Sequence, residues 1–519
     1  MGINDIFNIG VTGVTASRLA IEVTSENMAN VNTAGYSRQI THFETGPTIT
    51  SRGFALGTGV NVASVQRSYD ALLQRQIVDA NSSQQQALTR QKAMSQVEPL
   101  FNELAANGLG DAVQKFFGAW QDLSVNPSGA PERQALLSRA QILVDSFHQT
   151  NASLKTAQQF ADESLVGITA DISDKAKSIA SLNLQILMTE RLGTNANELR
   201  DQRDQLVLQL AQKTGLTYSE NTDGTYKIQL PDPAGAGGGE LLVDGIKYAT
   251  VYTDNAGGTT LNDIYITAIG NPPPAANAAT DTKVTATIGG PNDSTKTADN
   301  SLGEIGGVLK VRDQIVPDLL ESVDELSFQV ATEVNDIHYS AFGLKNGAAY
   351  TGNNFFTFGA LALNPGPPPA PATNLDVSQE IAVNPALTAD LDKIAAAGAM
   401  VTASGDGRGN NTQALAMANL QNTSLTFNLP TGGTMKSTFG GYYGSLVSSV
   451  GIMKQDANNV TTHGESFLLQ LNNLRESNSG VSLDEELTNL IKYQKAFEGS
   501  SRLISTATQM MDTILGLVR

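Results

Sequence analysis

From Val481 to Arg519 one row of side chains keeps a heptad step to the end of the chain. Leu483, Leu487, Leu490, Gln494, Phe497, Ser501, Ile504, Thr508, Met511, Leu515 and Val518 follow at alternating intervals of four and three, and eight of the eleven are apolar. A second row, Ser500, Leu503, Ala507, Met510, Ile514 and Leu517, repeats the spacing beside it. Two adjacent rows predict a helix that must be covered over a wide face. Charge is sparse there, since from Ser500 onward only Arg502, Asp512 and Arg519 are ionisable. Whatever else the chain does, it has to supply or recruit a surface for this helix.

A matching row stands at the other end. Ile3, Phe7, Gly10, Val14, Ser17, Ile21, Thr24, Met28 and Val31 step by four and three throughout, with a small or hydroxyl residue (Gly10, Ser17, Thr24) every seventh place. The material is poor for a helix. Its eleven β-branched residues and two glycines cost roughly 7 to 9 kcal/mol against an all-alanine segment. Covering the six large apolar members, Ile3, Phe7, Val14, Ile21, Met28 and Val31, returns at most about 1.5 to 3 kcal/mol each. Order at the ends is therefore expected to depend on burial. Two unrelated amphipathic helices docked on a core would show such rows separately. Rows at both termini point instead to a coiled coil, closed within the chain or between chains, and the weak helicity and near neutrality of the ends favour burial between molecules.

The formal net charge of −18 is unevenly spread: residues 1–60 and 481–519 carry −1 each, which leaves −16 for the body. An acidic body argues against nucleic acid or an anionic membrane as partner. Without cysteine, neither disulfides nor thiolate metal sites are expected. The start Met1-Gly2-Ile3-Asn4-Asp5 has its first basic residue at Arg18 and lacks the pattern of a cleavable signal, Ile6 stands where a myristoylation signal has Ser or Thr, and no run of eighteen apolar residues occurs. The four histidines, His42, His148, His338 and His463, lie in four separate segments, and no metal-protease, phosphate-loop or nucleophile-elbow pattern is present. Gly405 to Asn411 is oxygen-rich but lacks the Asp spacing and closing Glu of a calcium loop. No catalytic residue, cofactor or metal is expected.

After the first helix comes Asn27-Met28-Ala29-Asn30-Val31-Asn32-Thr33-Ala34-Gly35-Tyr36-Ser37-Arg38-Gln39. Asn and Gly tolerate the left-handed conformation that ends a helix, and Asn side chains satisfy orphaned backbone groups there. This stretch resembles the N-terminal signature of the bacterial flagellar rod, hook and hook-associated axial proteins. Asn30, Asn32, Gly35 and Tyr36 match it, whereas Ala34 replaces the usual proline and relaxes the turn. Ser37, Arg38 and Gln39 are similar to the hook-associated branch of that family, as are Ser479 to Glu486, Asn489 to Gln494 and Ile504 to Ala507.

The resemblance implies an exported structural subunit of the bacterial flagellum that joins hook to filament outside the cell, secreted without a cleavable signal. Its implied partners are identical subunits and the hook protein and adjacent hook-associated protein on either side. An export chaperone on the C-terminal helix is also implied, with Leu503, Met510, Ile514 and Leu517 as its expected contacts. A hook or distal-rod subunit shares the signature and stays open, as does a secreted glycan-binding protein or hydrolase built on the β segment.

Between the ends the period changes twice. Helical spacing runs from Tyr69 to Val97, from Phe147 through Leu154, Leu165, Ile172 and Ile179 to Ile186, and from Glu198 to a basic last turn and Gly215. Residues 216–300 alternate in short runs, with ten acidic and four basic residues, and read as strands and hairpins. Helix returns from Ile305 to Ile337, with Pro317 as a kink or restart, and from Tyr443 to Leu474. The expected fold is mainly α with an inserted antiparallel β domain. Residues 1–66 and 481–519 form a terminal coiled coil, residues 67–215, 301–344 and 385–480 an elongated helical bundle, and residues 216–300 with 345–384 an acidic outer β domain.

Overall fold

The computed structural model describes residues 3–51, 54–101, 108–230, 239–255, 261–284, 303–345, 347–364, 366–399 and 408–517. Helix α1, Ile3–Ala29, leads into a long β arm: β1, Gln39–Thr45, pairs antiparallel with β4, Val60–Arg67, and β2, Thr48–Ser51, with β3, Phe54–Gly57. Helix α2, Ala71–Val97, starts where the Asp70 carboxylate accepts from the backbone N–H groups of Leu72 and Leu73, and it gives way to a short 3₁₀ turn at Pro99. Helix α3 spans Leu109–Val125. Helix α4 then runs unbroken for 61 residues, Ala130–Glu190, a rod of about 90 Å at the usual rise per residue.

That rod serves two cores. In its row Phe147, Asn151, Leu154, Leu165, Ile168, Ile172, Ile179 and Ile186 are buried, while Gln158, Ala161, Lys175 and Leu182 are half-buried. The polar member Asn151 donates to Ser378 Oγ at 2.8 Å, so its buried amide nitrogen is hydrogen-bonded. The N-terminal half of α4 packs with α3, whose Phe116, Phe117 and Trp120 are fully buried. The C-terminal half packs with α5, Asn197–Lys213, and with two small antiparallel sheets. One sheet is β5, Thr217–Glu220, β6, Tyr226–Gln229, β7, Leu241–Asp244, and β8, Lys247–Tyr248. The other is β9, Val251–Asp254, β10, Asp263–Ile266, and β11, Thr282–Lys283. The expected strand at 284–288 lies almost wholly outside the described residues. Because Ile228, Leu242, Val243, Ile264 and Ile266 share one core with Leu165, Ile172, Ile179 and Leu210, the strands are one layer of a helix–sheet body.

Helix α6, Gly303–Lys310, passes through a π turn at Val311–Ile315 into α7, Val316–Ser340. Pro317 is the second residue of α7, directly after the π turn, and the wider turn carries the helix past a residue that lacks an N–H. Residues 345–384 correct an expectation. They contain β12, Phe356–Phe358, β13, Leu363–Asn364, β14, Ala370–Pro371, α8, Val377–Glu380, and β15, Ile381–Val383. Phe355, Phe356, Val377 and Ile381 are fully buried in the α3–α7 core, so this segment belongs to the helical body and not to the acidic strands. Aromatic contact explains it, since Phe355 lies 5.5 Å from Trp120 and 5.7 Å from Phe116 by ring centroids. Helix α9, Pro385–Ala389, α10, Thr412–Leu420, and the hairpin β16, Leu425–Asn428, with β17, Thr434–Ser437, complete that core. Helix α11, Phe439–Ser479, returns along α2, and after a turn at Gly480 the chain enters α12, Leu483–Leu517.

Candidate assembly interface

Helices α1 and α12 pack antiparallel, with Gly10 against Ser500 and Ile504 at one end and Asn27 against Glu486 at the other. The seam between them is made by small side chains. A Cβ on Gly10 would stand 2.7 Å from Ile504 Cγ1 and 3.2 Å from the Ser500 carbonyl oxygen, and one on Gly13 would stand 2.5 Å from Ser500 Oγ. Gly10, Ala16, Ser17, Ala20, Val23, Thr24 and Asn27 are the buried positions of α1, and Glu486 and Ala507 those of α12. By length and composition α1 is apolar enough to cross a membrane, and here its small-residue face lies on α12 and on β1 and β4.

Except for Ile504, which packs on Gly10, the large members of both heptad rows are left outside this seam. Phe7 is 37% exposed, and Val14, Ile21, Met28 and Val31 are half-buried. On α12, Leu483, Leu487, Phe497, Met511 and Leu515 are 47, 49, 37, 37 and 62% exposed, while Leu490 and Ile504 are half-buried. In the second row Leu503, Met510 and Ile514 are 44, 46 and 50% exposed. Ile3 and Leu517 lie within the helices, and Val518 is outside the described residues. The seam closed within one chain therefore uses the small positions and Ile504, and the exposed large side chains of the rows remain available.

The Asn-rich motif clasps the pair to the body. Asn27 is the hub: its Oδ1 accepts from the Tyr36 hydroxyl and from the Gln39 backbone N–H, both at 2.9 Å, and its Nδ2 donates to the Gln39 carbonyl at 2.9 Å. Gly35 has φ +83°, a left-handed conformation that a side chain would strain, and a Cβ there would lie 2.9 Å from Gln205 Oε1 on α5. Asn30 donates to the Glu26 carbonyl and accepts from Thr33, closing the end of α1, whereas Asn32 is exposed. Ser37 donates through both its backbone N–H and its hydroxyl to Asp201 at 2.8 Å. Arg38 bridges to the other terminus, donating from Nε to Glu486 at 2.7 Å and from Nη1 to Glu485 at 2.8 Å. Gln39 accepts from Asn197 at 2.9 Å. Four consecutive motif positions, Tyr36 to Gln39, thus tie α1, α12 and α5 to one another.

Charges behind the clasp are buried and paired. Arg67 reaches Asp201 at 2.8 Å and Asp204 at 2.6 Å, and Asp204 accepts from the Tyr226 hydroxyl at 2.7 Å. Burial opposes the charge on Arg67, but Asp204 and Asp201 more than offset it, so the guanidinium is held firmly protonated. Burial, reinforced by the nearby Glu26 charge, pushes the Tyr36 phenol well above its ordinary value, so it remains a donor. Arg67, Asp201 and Asp204 lie outside the sequence motifs, and Asn27 and Glu486 lie within them with no role assigned by the motif. Only the spacing of Asp201, Arg203 and Asp204 on α5 hints in the sequence at a buried ionic cluster. No group of three or more metal-ligating side chains occurs among the described residues. Of the histidines, His42 and His463 are exposed, His148 contacts the Ile381 carbonyl at 2.9 Å, and His338 is wholly buried.

Comparison with known proteins fits this geometry. Residues 7–36 match the family of flagella basal body rod proteins, and residues 475–517 the C-terminal region of the flagellar basal body rod FlgEFG proteins. Residues 94–356, between them, match the flagellar hook-associated protein FlgK helical domain. Rod-type segments on the paired termini with such a body between them define a structural protein of the bacterial flagellar axis. The chain belongs to the flagellar hook-associated protein FlgK family. It is 27% identical to flagellar hook-associated protein 1 of Bacillus subtilis (strain 168), over 97% of this chain and 96% of that one. With flagellar hook-associated protein 1 of Escherichia coli (strain K12) it shares 26% identity, over 99% and 100%. The flagellar hook junction protein FlgK from Burkholderia pseudomallei shares the fold, with a TM-score of 0.60 over 78% of this chain and 99% of that one, at 15% identity.

Proposed function

We propose that α1 and α12 are the element that builds this subunit into the junction between hook and filament, and that their exposed rows are completed by neighbouring subunits. One observation carries this reading: Leu483, Leu487, Phe497, Met511 and Leu515 remain 37 to 62% exposed on a helix whose intramolecular seam is already filled by small residues. Burying the remaining exposed half of five such side chains returns about 4 to 7 kcal/mol together, which adds to the intramolecular seam in offsetting the poor helicity of the ends. The terminal pair forms the inner tube of the assembly, and the α3–α7 body and the α4–α5–sheet body stand outside it. Identical subunits supply the lateral contacts, and the hook protein and the adjacent hook-associated protein the axial ones. Before assembly, a chaperone covering Leu503, Met510 and Ile514 keeps the chain soluble and loosely ordered at its ends for export.

The hook-associated body match at residues 94–356 favours this place over a hook or distal-rod subunit. The test is retention on purified hook ends. Leu487→Asp with Leu515→Asp is expected to leave the thermal melt of the free chain unchanged and to abolish retention. Retention equal to that of the unaltered chain would refute the assignment of these rows.

A further inference from the structure

Beside the clasp lies a cavity of about 450 Å³, walled by the motif loop on one side and by α4 and α5 on the other. Leu182, Leu206 and Tyr36 give it an apolar floor, and Glu198, Asp201 and Gln202 a polar rim. A second groove of about 550 Å³ shares Leu182 and Leu206 and continues along α4 past Ser181 and Ser178. Together they form a trough beside the joint between the terminal pair and the body. Asp174 and Lys177 offset each other in the second groove, and the unbalanced charge is at the motif end. Asp201 is engaged by Arg67 and Ser37, whereas Glu198 is contacted by Gln39 at 3.4 Å and by the Glu26 carboxyl, and has no ion-pair partner among the described residues. Glu26 of α1 adjoins it, and burial first, then the charge of Glu198, raises the Glu26 carboxyl above its usual range. A cation entering here would relieve that repulsion.

The matching surface is on α12. Lys492 and Lys495 are the only lysines of the two terminal helices. Ile491 is 58% exposed, and Lys495, one turn further along the same face, has a 71% exposed side chain whose ion pair is to the exposed Glu498 of its own helix. An apolar side chain followed one turn later by a lysine is complementary to an apolar floor with a carboxylate at its rim that has no ion-pair partner.

We propose that this trough is the socket for α12 of a second copy of the chain, with Ile491 seated on Leu182 and Leu206 and Lys495 paired with Glu198. The inference rests on the assembly reading above and adds the surface that receives the helix. It makes the contact head-to-tail, because socket and plug are different surfaces, and such a contact propagates from copy to copy.

Because the native chain has no cysteine, the contact can be trapped cleanly. Copies carrying only Gln202→Cys are mixed with copies carrying only Lys495→Cys, assembled on purified hook ends, pelleted and oxidised, with each variant alone as background. Disulfide-linked dimers are expected to be enriched severalfold in the pelleted mixture over the unassembled mixture. Glu198→Lys is expected to reduce retention on hook ends severalfold, and adding Lys495→Glu in the same chain to restore it. Normal retention without dimer enrichment, and without any effect of Glu198→Lys, overturns the socket while leaving the assembly reading intact. Dimers equally abundant in unassembled chain also overturn it, since they report random collision. Failure of the unaltered chain to be retained at all removes the assembly reading, and the socket with it.

Discussion

Removing the guanidinium that joins the two ends of the chain gives the sharpest test of the clasp. Arg38→Ala deletes the 2.7 Å bond to Glu486 and the 2.8 Å bond to Glu485, while the Arg38 backbone keeps its bonds to Ser479 and Ser68. Glu486 is 2% exposed and would retain only Asn27 Nδ2, at 3.4 Å. Breaking a fully buried pair from one side costs about 3 to 5 kcal/mol. Arg38 is itself 22% exposed and Glu485 62%, so water partly replaces the lost partner and a cost of about 2 to 3 kcal/mol follows. A double-mutant cycle with Glu486→Gln, read by native-state amide exchange of α1 and α12, isolates the pair. The expected coupling is about 2 kcal/mol, a roughly 30-fold change in local opening. Coupling below about 0.5 kcal/mol would refute the argument that this pair joins the termini.

Three further outcomes follow from particular contacts. Gly10→Ala gains about 1 kcal/mol of helix propensity but brings a Cβ within 3.2 Å of the fixed Ser500 carbonyl, so α1 and α12 exchange faster. Gly499→Ala, which meets nothing within 4 Å, keeps the propensity gain and slows exchange of α12. His338 accepts at Nε2 from the Ala395 N–H and therefore donates from Nδ1 to the Asn353 carbonyl, and complete burial pulls its pKa down to about 4 from 6.5. The unfolded chain binds this proton more readily, so its contribution is complete above pH 6.5 and about 3 kcal/mol of stability is lost as pH falls to 4, measurable as a falling urea midpoint that His338→Gln flattens.

The long row on α4 was legible because its period is unbroken, although its buried polar member Asn151 finds its partner, Ser378, far away in sequence. The centre of the first core was not. Leu109, Ala112, Phe116, Trp120 and Leu123 carry helical spacing, yet α3 takes its position from Phe355 and Phe439, far away in sequence. The Gly- and Pro-rich character of residues 345–384 excludes helix over much of the segment but says nothing about which body its phenylalanines join. At the termini, periodicity identified two apolar faces and their complementarity. It did not identify which side of each helix the partner within the chain would take, because close approach is decided by Gly10, Gly13 and Ser500, which add almost nothing to a hydrophobic pattern. The Asn30 to Gln39 motif was visible as a helix stop. Its role as a clasp emerges only when Asp201, Glu486 and Asn197 are brought to it by the fold.

The central claim is that neighbouring subunits complete the terminal pair. Amide hydrogen exchange on the full chain, free in solution and retained on hook ends, measures this segment by segment, with α4 as the internal reference. Fast exchange of residues 3–29 and 483–517 in the free chain, slowing by orders of magnitude on the hook while α4 is unchanged, is the predicted result. Equal and strong protection of both helices in the free and retained chain would mean that the pair is complete within one molecule, and the account would be wrong.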